Sequence, residues 1–257
     1  MKNIALVTGA SSGIGKELAR IHAMNGGDLV IVARREEELE NIKADLEKTY
    51  KIKVVVIALD LSIFGAGTAL VNEVNKRGLE IDYLMNNAGF GGYGEFYQRD
   101  LEKEKEMIRL NITSYVEITH GILQQMIKRK KGKILNTAST AGFIPGPLQA
   151  VYFATKAFVV SFSQAIDQEV KPFGVTVTAL CPGPVQTEFK NVAGMKNNPL
   201  FKRAKSARYV ALIGYRAMLK GRLIAITEKS LSVFINGVMF FMPRRTVLKI
   251  IQKLQKH

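Results

Sequence analysis

The stretch IALVTGASSGIG, residues 4–15, decides the fold of this chain. An apolar run of β character passes into a glycine-rich turn, and a helical pattern follows the turn. Glycine lets the backbone turn tightly and approach a pyrophosphate, and the helix N-terminus offers free N–H groups and a positive dipole end. The alternative is a glycine-rich turn without a ligand, but the strand–turn–helix context favours nucleotide binding.

Outward from this stretch, short apolar runs alternate with amphipathic helical patterns. The β-like runs are Ile4–Val7, Leu29–Ala33, Val54–Ala58, Ile81–Met85, Lys133–Asn136, Val175–Leu180 and Leu223–Ile226. Helical patterns include Gly15–Asn25, Glu37–Tyr50, Gly67–Arg77 and Tyr152–Val170. The alternation predicts an α/β fold of the Rossmann type, a doubly wound parallel sheet of about seven strands flanked by helices. We expect a single domain over residues 1–257.

Two regions depart from the alternation. Residues 182–206, with three prolines, are too long for an ordinary connection and predict a substrate loop or lid. Residues 229–257 form a C-terminal appendix, an apolar run over 231–242 and then an amphipathic basic helix that starts after Pro243. Such a helix packs on the substrate cleft, packs on a second subunit or lies on an anionic membrane. Packing is the favoured interpretation.

Composition and charge limit the function classes. Apolar residues make up 47% and charged residues 23%, which indicates a globular chain and excludes a disordered one. The 37 basic and 22 acidic residues give a net charge of +15, which is compatible with nucleic acid, an anionic membrane or acidic carriers. The cationic cluster at residues 128–133, KRKKGK, has no aromatic residues interleaved with its lysines and arginine. No nucleic-acid partner is therefore expected. The single cysteine, Cys181, excludes an internal disulfide and favours a cytoplasmic location.

The end of the second β-like run indicates which dinucleotide binds. An NAD site places Asp or Glu there for the ribose hydroxyl, whereas this chain has Arg34 and Arg35. The planar guanidinium suits a 2′-phosphate, so we infer NADP(H) rather than two solvated surface charges. Asp60 follows the third run, where it either bonds the adenine or caps the next helix. Both alternatives stay open.

A tyrosine and a lysine share one face of a predicted helix. Tyr152 and Lys156 are four residues apart, and an ammonium beside a phenol lowers the pKa of the phenol. Tyr152 is therefore a candidate general acid and base. Ser139, thirteen residues earlier, is placed to hydrogen-bond a substrate carbonyl. Taken alone, such a Tyr–Lys pair is usually a surface feature of a helix.

Taken in order, these motifs resemble the short-chain dehydrogenase/reductase family. The matching segments are TGASSGIG at 8–15, NNAG at 86–89, LNIT at 110–113 and PGPVQT at 182–187, together with Ser139, Tyr152 and Lys156. The resemblance covers about residues 3–226. It implies an NADP(H)-dependent oxidoreductase that transfers a hydride between the nicotinamide and a carbonyl or secondary alcohol.

The resemblance also implies the role of each site residue. Tyr152 would protonate the carbonyl oxygen, Ser139 would orient the carbonyl, and Lys156 would lower the Tyr152 pKa and bind the nicotinamide ribose. Asn111 would hold a water that links Lys156 to solvent. The implied cofactor-binding residues are Gly9, Ser11, Ser12, Gly13, Ile14, Gly15, Arg34, Arg35, Asp60, Leu61, Asn87, Ala88, Gly89, Tyr152, Lys156, Pro182, Gly183, Val185 and Thr187. No metal is expected, because the three histidines lack ligand spacing.

The substrate side of the sequence is apolar. Phe90, Phe143 and Phe189 are expected around Ser139 and Tyr152, which predicts a bulky or lipophilic ketone.

Two other functions stay open beside this one. One is a reductase of 3-oxoacyl groups on an acidic acyl carrier protein, resembling that branch of the family and docking the carrier at Arg129 and Lys171. The other is a non-catalytic cofactor sensor or membrane-associated protein, against which the complete set of catalytic residues counts. A homodimer is expected, because the appendix departs from the C-terminus of the family's tetramers.

Overall fold

The structure of the protein, a computed structural model, describes residues 1–195, 201, 204–228 and 242–256. Its centre is a seven-stranded parallel sheet with the order β3-β2-β1-β4-β5-β6-β9. The strands are β1 (Ile4–Thr8), β2 (Leu29–Ala33), β3 (Val54–Ala58), β4 (Ile81–Asn86), β5 (Gly132–Thr137), β6 (Val175–Cys181) and β9 (Ile224–Ile226). The doubly wound sheet predicted from the alternating pattern is confirmed.

Helices cover both faces of the sheet. They are α1 (Gly13–Met24), α2 (Glu36–Tyr50), α3 (Ala66–Lys76), α4 (Leu101–Ile108), α5 (Ser114–Arg129), α6 (Ala150–Val170), α7 (Phe189–Val192), α8 (Ala207–Leu219) and α9 (Arg244–Gln255). One core cluster joins the sheet to α1, α2 and α8, and another joins it to α3 and α5. None of the helices in the described ranges is long and apolar enough to cross a membrane.

The strands are mostly apolar because both of their faces are buried. Along β1, Ala5 and Val7 enter the cluster beneath α1 and α8, while Ile4 and Leu6 enter the cluster beneath α3 and α5. This alternation follows from the two-residue period of a strand. Every strand of the sheet is therefore held by helices on both sides.

The strand order reverses beside β1, which pairs with β2 on one side and with β4 on the other. In parallel sheets of this kind, ligands bind at the carboxyl ends of the strands where the order reverses. The glycine-rich turn after β1 and the loop after β4 both begin at this position. The topology therefore brings two of the predicted motifs to one crevice.

The two regions that departed from the alternation are described in part. Within 182–206, two short strands pair in parallel, β7 (Val185–Gln186) and β8 (Lys205–Ser206). Helix α7 lies between them in sequence. This segment is therefore more regular than predicted, although residues 196–200 and 202–203 lie outside the described residues. The apolar run predicted over 231–242 also lies outside them, except for its last residue. The basic helix starts directly after Pro243, as the sequence predicted.

Candidate active site

The glycine-rich turn lies against the end of β4. The hydroxyl of Thr8 accepts hydrogen bonds from the backbone N–H groups of Asn87 (2.9 Å) and Ala88 (3.0 Å). Gly9 has a φ of 67°, and a Cβ there would lie 2.9 Å from the Cα of Ala88. A Cβ at Gly15 would collide with the carbonyl oxygen of Gly9. The turn is thus a cradle lined by backbone, with the N-terminus of α1 at its base.

The loop after β6 forms the opposite side of this cradle. A Cβ at Gly13 would come within 3.0 Å of the Thr187 side chain, so the two motifs face each other. The carbonyl oxygen of Pro182 accepts a hydrogen bond from the Ser139 hydroxyl at 3.2 Å. The N–H of Gly183 donates to the Glu228 carboxylate at 2.9 Å. The cofactor residues predicted on separate loops therefore converge at one sheet edge.

Asp60 and Arg34 meet at the ends of β2 and β3. Their side chains form an ion pair at 3.6 Å, and Asp60 also accepts hydrogen bonds from the N–H and hydroxyl of Ser62. Burial opposes ionisation of Asp60, but the bonds from Ser62 and the Arg34 guanidinium outweigh it and lower the pKa. The predicted helix-capping alternative is wrong, because Gly65 occupies the N-cap of α3. Leu61, predicted to contact the cofactor, buries its side chain in the core.

Arg35 connects the glycine-rich turn to the loop before α7. Its guanidinium donates to the Ser11 hydroxyl at 3.1 Å and forms an ion pair with Glu188 at 3.1 Å. Hydrogen bonding to Arg35 lowers the pKa of Glu188, and Ser12 and Lys16 add to the effect. An acidic side chain thus lies beside the α1 N-terminus, and Glu188 was not among the predicted site residues.

The tyrosine, serine and lysine predicted to act together lie at the carboxyl end of β5. Ser139 follows β5, and Tyr152 and Lys156 lie in the first two turns of α6. The Lys156 ammonium lies 5.8 Å from the centre of the Tyr152 ring and donates a 2.8 Å hydrogen bond to the carbonyl oxygen of Thr137. The three side chains therefore share one pocket, in which Ser139 and Lys156 are buried and Tyr152 is half-buried.

Burial controls the protonation of this pocket. It raises the pKa of Tyr152 to about 12, against the effect of a hydrogen bond with Ser139. Burial also lowers the pKa of Lys156 to about 8. Burial of the phenol dominates the pKa of Tyr152 in this structure, and the Lys156 ammonium donates to the Thr137 carbonyl oxygen, so the expected lowering of the Tyr152 pKa by Lys156 stays a prediction. The phenol consequently stays protonated at neutral pH and can donate its proton.

Asn111 holds the loop after β4 in place beside Lys156. It lies in a π-helical turn between α4 and α5, and its amide exchanges two hydrogen bonds with the backbone of Phe90. It also donates to the Thr155 hydroxyl at 3.1 Å. A Cβ at Gly89 would lie 3.0 Å from the Asn111 oxygen and 3.5 Å from the Lys156 nitrogen. The side chain of Asn111 is thus engaged with protein groups, and its role toward a water stays a prediction.

Of the three phenylalanines predicted on the substrate side, Phe189 lies closest to the chemistry. Its ring centre is 5.3 Å from that of Tyr152, and a Cβ at Gly91 would touch both rings. Phe90 is joined to the site by two hydrogen bonds between its backbone and the Asn111 side chain. Phe143 instead packs against the cluster between α6 and β6, so its predicted substrate contact is not supported by its packing.

The C-terminal helix α9 packs against the loops around this pocket. The carbonyl oxygen of Gln255 accepts a 2.8 Å hydrogen bond from the Tyr93 hydroxyl, and its side chain accepts one from Gln149 at 3.0 Å. Val247 and Ile251 are buried on the same side of the helix. Among the three alternatives for this helix, the structure supports packing on the chain's own cleft.

Of the two residues predicted to dock an acidic carrier, one is engaged with the protein and the other is exposed. Arg129 forms an ion pair with Asp82 at 3.0 Å and also bonds the backbone of Ile81, so it is not free to dock an acidic carrier. Lys171 remains exposed after α6. Burial raises the pKa of the Cys181 thiol to about 12, which fits a packing residue rather than a nucleophile.

Comparisons with known proteins agree with this geometry. A family profile described as short chain dehydrogenase matches residues 3–198. The chain belongs to the short-chain dehydrogenases. It is 37% identical over 211 residues to the very-long-chain 3-oxoacyl-CoA reductase-A of Danio rerio, an alignment of 80% of this chain and 64% of that protein. It is 32% identical to the very-long-chain 3-oxoacyl-CoA reductase of Anas platyrhynchos, over 98% of this chain and 80% of that protein.

A solved structure extends the comparison to the fold. The short-chain dehydrogenase from Sphingobium yanoikuyae in complex with NADPH has a TM-score of 0.83 and 29% identity. The match covers 93% of this chain and 96% of that one. This short-chain dehydrogenase is therefore an oxidoreductase of C=O and CH–OH groups, with a fold that binds a nicotinamide cofactor.

Sequence reasoning missed several residues of this short-chain dehydrogenase. Thr8 could have been predicted, because it directly precedes Gly9 in the glycine-rich turn. No local sequence pattern indicates that Glu188 belongs to the site. The pairing of Gln149 with Gln255 joins residues far apart in sequence and was equally hidden. Across the described residues, no cluster of three His, Cys, Asp or Glu side chains could hold a metal ion.

Proposed function

We propose that this protein is an NADPH-dependent reductase of the ketone in a lipophilic 3-oxoacyl thioester, of the acyl-CoA type. The observation that carries the proposal is the half-buried, protonated Tyr152 beside Ser139, with the Lys156 ammonium near its ring, at the sheet edge that also holds the glycine cradle. A phenol in this state is a proton donor at neutral pH. Carbonyl reduction is the direction that consumes such a proton.

The residues present fit a dinucleotide. The cradle between Gly13 and Thr187 is kept open by the absence of side chains, and the α1 N-terminus suits a pyrophosphate. Arg34 and Arg35 favour a 2′-phosphate at the adenosine end, and the NADPH complex of the Sphingobium yanoikuyae relative supports the same preference. When bound, the cofactor supplies the hydride.

The residues of the chain would supply orientation and the proton. The Ser139 hydroxyl holds the carbonyl oxygen, and the Tyr152 phenol gives that oxygen its proton as negative charge develops there. The ammonium of Lys156, buried beneath the ring, favours the phenolate that remains. Asn111 positions the Phe90 loop around these groups.

The relatives and the cleft together support the substrate class. Both reductases reported above are named for very-long-chain 3-oxoacyl-CoA. The Phe189 ring beside Tyr152 offers an apolar wall for an acyl chain. An acidic acyl carrier is less well supported, because its expected contact Arg129 is bonded to Asp82.

A panel of carbonyl substrates tests the proposal. NADPH consumption would be followed with long-chain 3-oxoacyl-CoA, the same acyl group on acyl carrier protein, and bulky ketones without a thioester. Turnover of the acyl-CoA is expected, with loss in Tyr152→Phe while NADPH binding persists. Arg34→Ala should weaken NADPH binding more than NADH binding. Turnover confined to ketones, or full turnover by Tyr152→Phe, contradicts the proposal.

We also propose one domain over residues 1–257, with 182–206 as its lid, working as a homodimer in the cytoplasm. The packing of α9 through Gln255 onto Tyr93 and Gln149 supports the single domain. Light scattering on the purified chain measures the oligomer, and a monomer would refute the dimer. Calorimetry with one unfolding transition is expected for one domain, whereas two separate transitions would refute it.

A further inference from the structure

The outward side of α9 is strongly cationic. The stretch from residue 244 to residue 256 carries five basic residues and no acidic one. While Val247, Ile251 and Gln255 face the protein, the cations are exposed. They are Arg244, Arg245, Lys249, Lys253 and Lys256. None of the ion pairs found among the described residues involves these five side chains.

Two large apolar side chains stand among these cations. Ile250 and Leu254 are 40% and 51% exposed, and their spacing of four residues places them on one side of the helix. Lys249 and Lys253 precede them directly along the chain. Water thus contacts an apolar ridge bordered by cations, although the same helix already buries a different apolar side against the cleft.

The neighbouring surface adds exposed aromatic residues. Tyr93, which bonds Gln255, is followed within a few residues by Phe96 and Tyr97, which are 59% and 80% exposed. Leu101 at the start of α4 is 59% exposed. The acids Glu102 and Glu106 of α4 are paired with Lys105 and Lys103, whereas Asp100 is exposed and accepts a hydrogen bond from the N–H of Glu102.

We propose that α9 and the adjoining segment 96–101 form a docking face for an anionic lipid bilayer. The proposal rests on this surface and does not depend on the proposed reductase activity. An amphipathic helix with cations beside exposed Ile and Leu, next to exposed aromatic rings, is what an interfacial contact requires. An acidic protein would use the cations but would leave the apolar ridge unexplained.

The position of the face gives the docking a consequence. Because Gln255 bonds Tyr93 and Gln149, the helix that meets the bilayer is also packed against the pocket of Tyr152. Gln149 precedes that tyrosine by three residues. Docking would therefore orient the substrate cleft toward the membrane, where lipophilic acyl chains partition.

Vesicle sedimentation of the full chain tests the docking face. Binding is expected to vesicles of equimolar phosphatidylcholine and phosphatidylserine, and to be much weaker with phosphatidylcholine alone. Lys249→Gln with Lys253→Gln should lower partitioning about thirtyfold, at about tenfold for each 1.4 kcal/mol and about 1 kcal/mol per cation. The matched control, Lys128→Gln with Lys130→Gln, removes the same charge from two exposed positions at the C-terminal end of α5 and should change partitioning less than threefold.

The apolar ridge is tested separately from the charge. Ile250→Ser with Leu254→Ser keeps every cation and should also lower partitioning at least tenfold. Unchanged melting temperatures and NADPH binding would show that each variant folds. Equal losses in the two lysine pairs would mean attraction by net charge alone and would overturn the proposal. Full binding by the serine variant, or capture of acyl carrier protein without vesicle binding, would also overturn it.

Discussion

Replacing Lys156 with methionine is expected to stabilise the protein while abolishing its turnover. The side chain is only 4% exposed, and burial lowers its pKa from 10.5 to about 8. That difference corresponds to about 3 kcal/mol against the charged form in the folded chain. The lost hydrogen bond to the Thr137 carbonyl offsets about 1 kcal/mol of the gain. About 2 kcal/mol remains, or a rise in melting temperature of roughly 4–8 °C.

The pH dependence fixes the sign of this effect. Between about pH 8 and the unfolded pKa of 10.5, the unfolded chain binds a proton that the folded chain has released, so stability rises with pH. The destabilisation by Lys156 is nearly complete at pH 7 and falls to about 1 kcal/mol at about pH 9.5. The wild-type chain should therefore gain about 2 kcal/mol over this range through Lys156, and the methionine variant should lack that gain.

Thermal unfolding without cofactor, at both pH values, measures the effect. Lys128→Met, on an exposed lysine of α5, serves as the control and should change stability by less than about 0.5 kcal/mol. A lower melting temperature for Lys156→Met would refute the reasoning. So would a gap between wild type and variant that is the same at both pH values, because the buried charge would then not be its cause.

Three further predictions concern the glycine cradle, Glu188 and Arg129 at the end of α5. Gly15→Val should abolish NADPH binding in a calorimetric titration and lower the melting temperature, because its side chain meets the Gly9 carbonyl; measurable NADPH binding would contradict the cradle. Glu188→Gln should tighten NADPH binding about fourfold, and NADH binding less, because it removes a negative charge beside the cradle, and two like unit charges a few ångströms apart repel by about 0.8 kcal/mol in water; weaker NADPH binding would instead show that the Glu188–Arg35 ion pair holds the binding site together. Arg129→Ala should lower the free energy of unfolding in urea by about 2 kcal/mol, because Asp82 loses a partner; an unchanged value would return Arg129 to the candidates for carrier docking.

Much of the fold followed from short-range patterns. The runs Leu29–Ala33 and Val54–Ala58 coincide with β2 and β3, because strands buried on both faces are marked by continuous apolar sequence. The glycine-rich turn could be assigned because its glycines and the following helix are adjacent in sequence. For the same reason, Tyr152 and Lys156 could be placed on one helix face.

Other features depended on residues that only folding brings together. Glu188 meets Arg35 across 153 positions, and Gln255 meets Tyr93 across 162, so no local pattern could indicate either contact. The ion pair between Arg129 and Asp82, which engages the residue predicted to dock an acidic carrier, also joins residues that are distant in sequence.

The sequence by itself determined where the strands lie along the chain, the glycine cradle and the identity of the residues with acid–base chemistry. The tertiary structure alone decided their protonation, since the pKa values of Tyr152 and Lys156 follow from the desolvation of each group. It also decided which cations are free and which side of α9 faces water. Periodicity and turn chemistry act over a few residues, whereas burial and ion pairing depend on the packing of the whole chain.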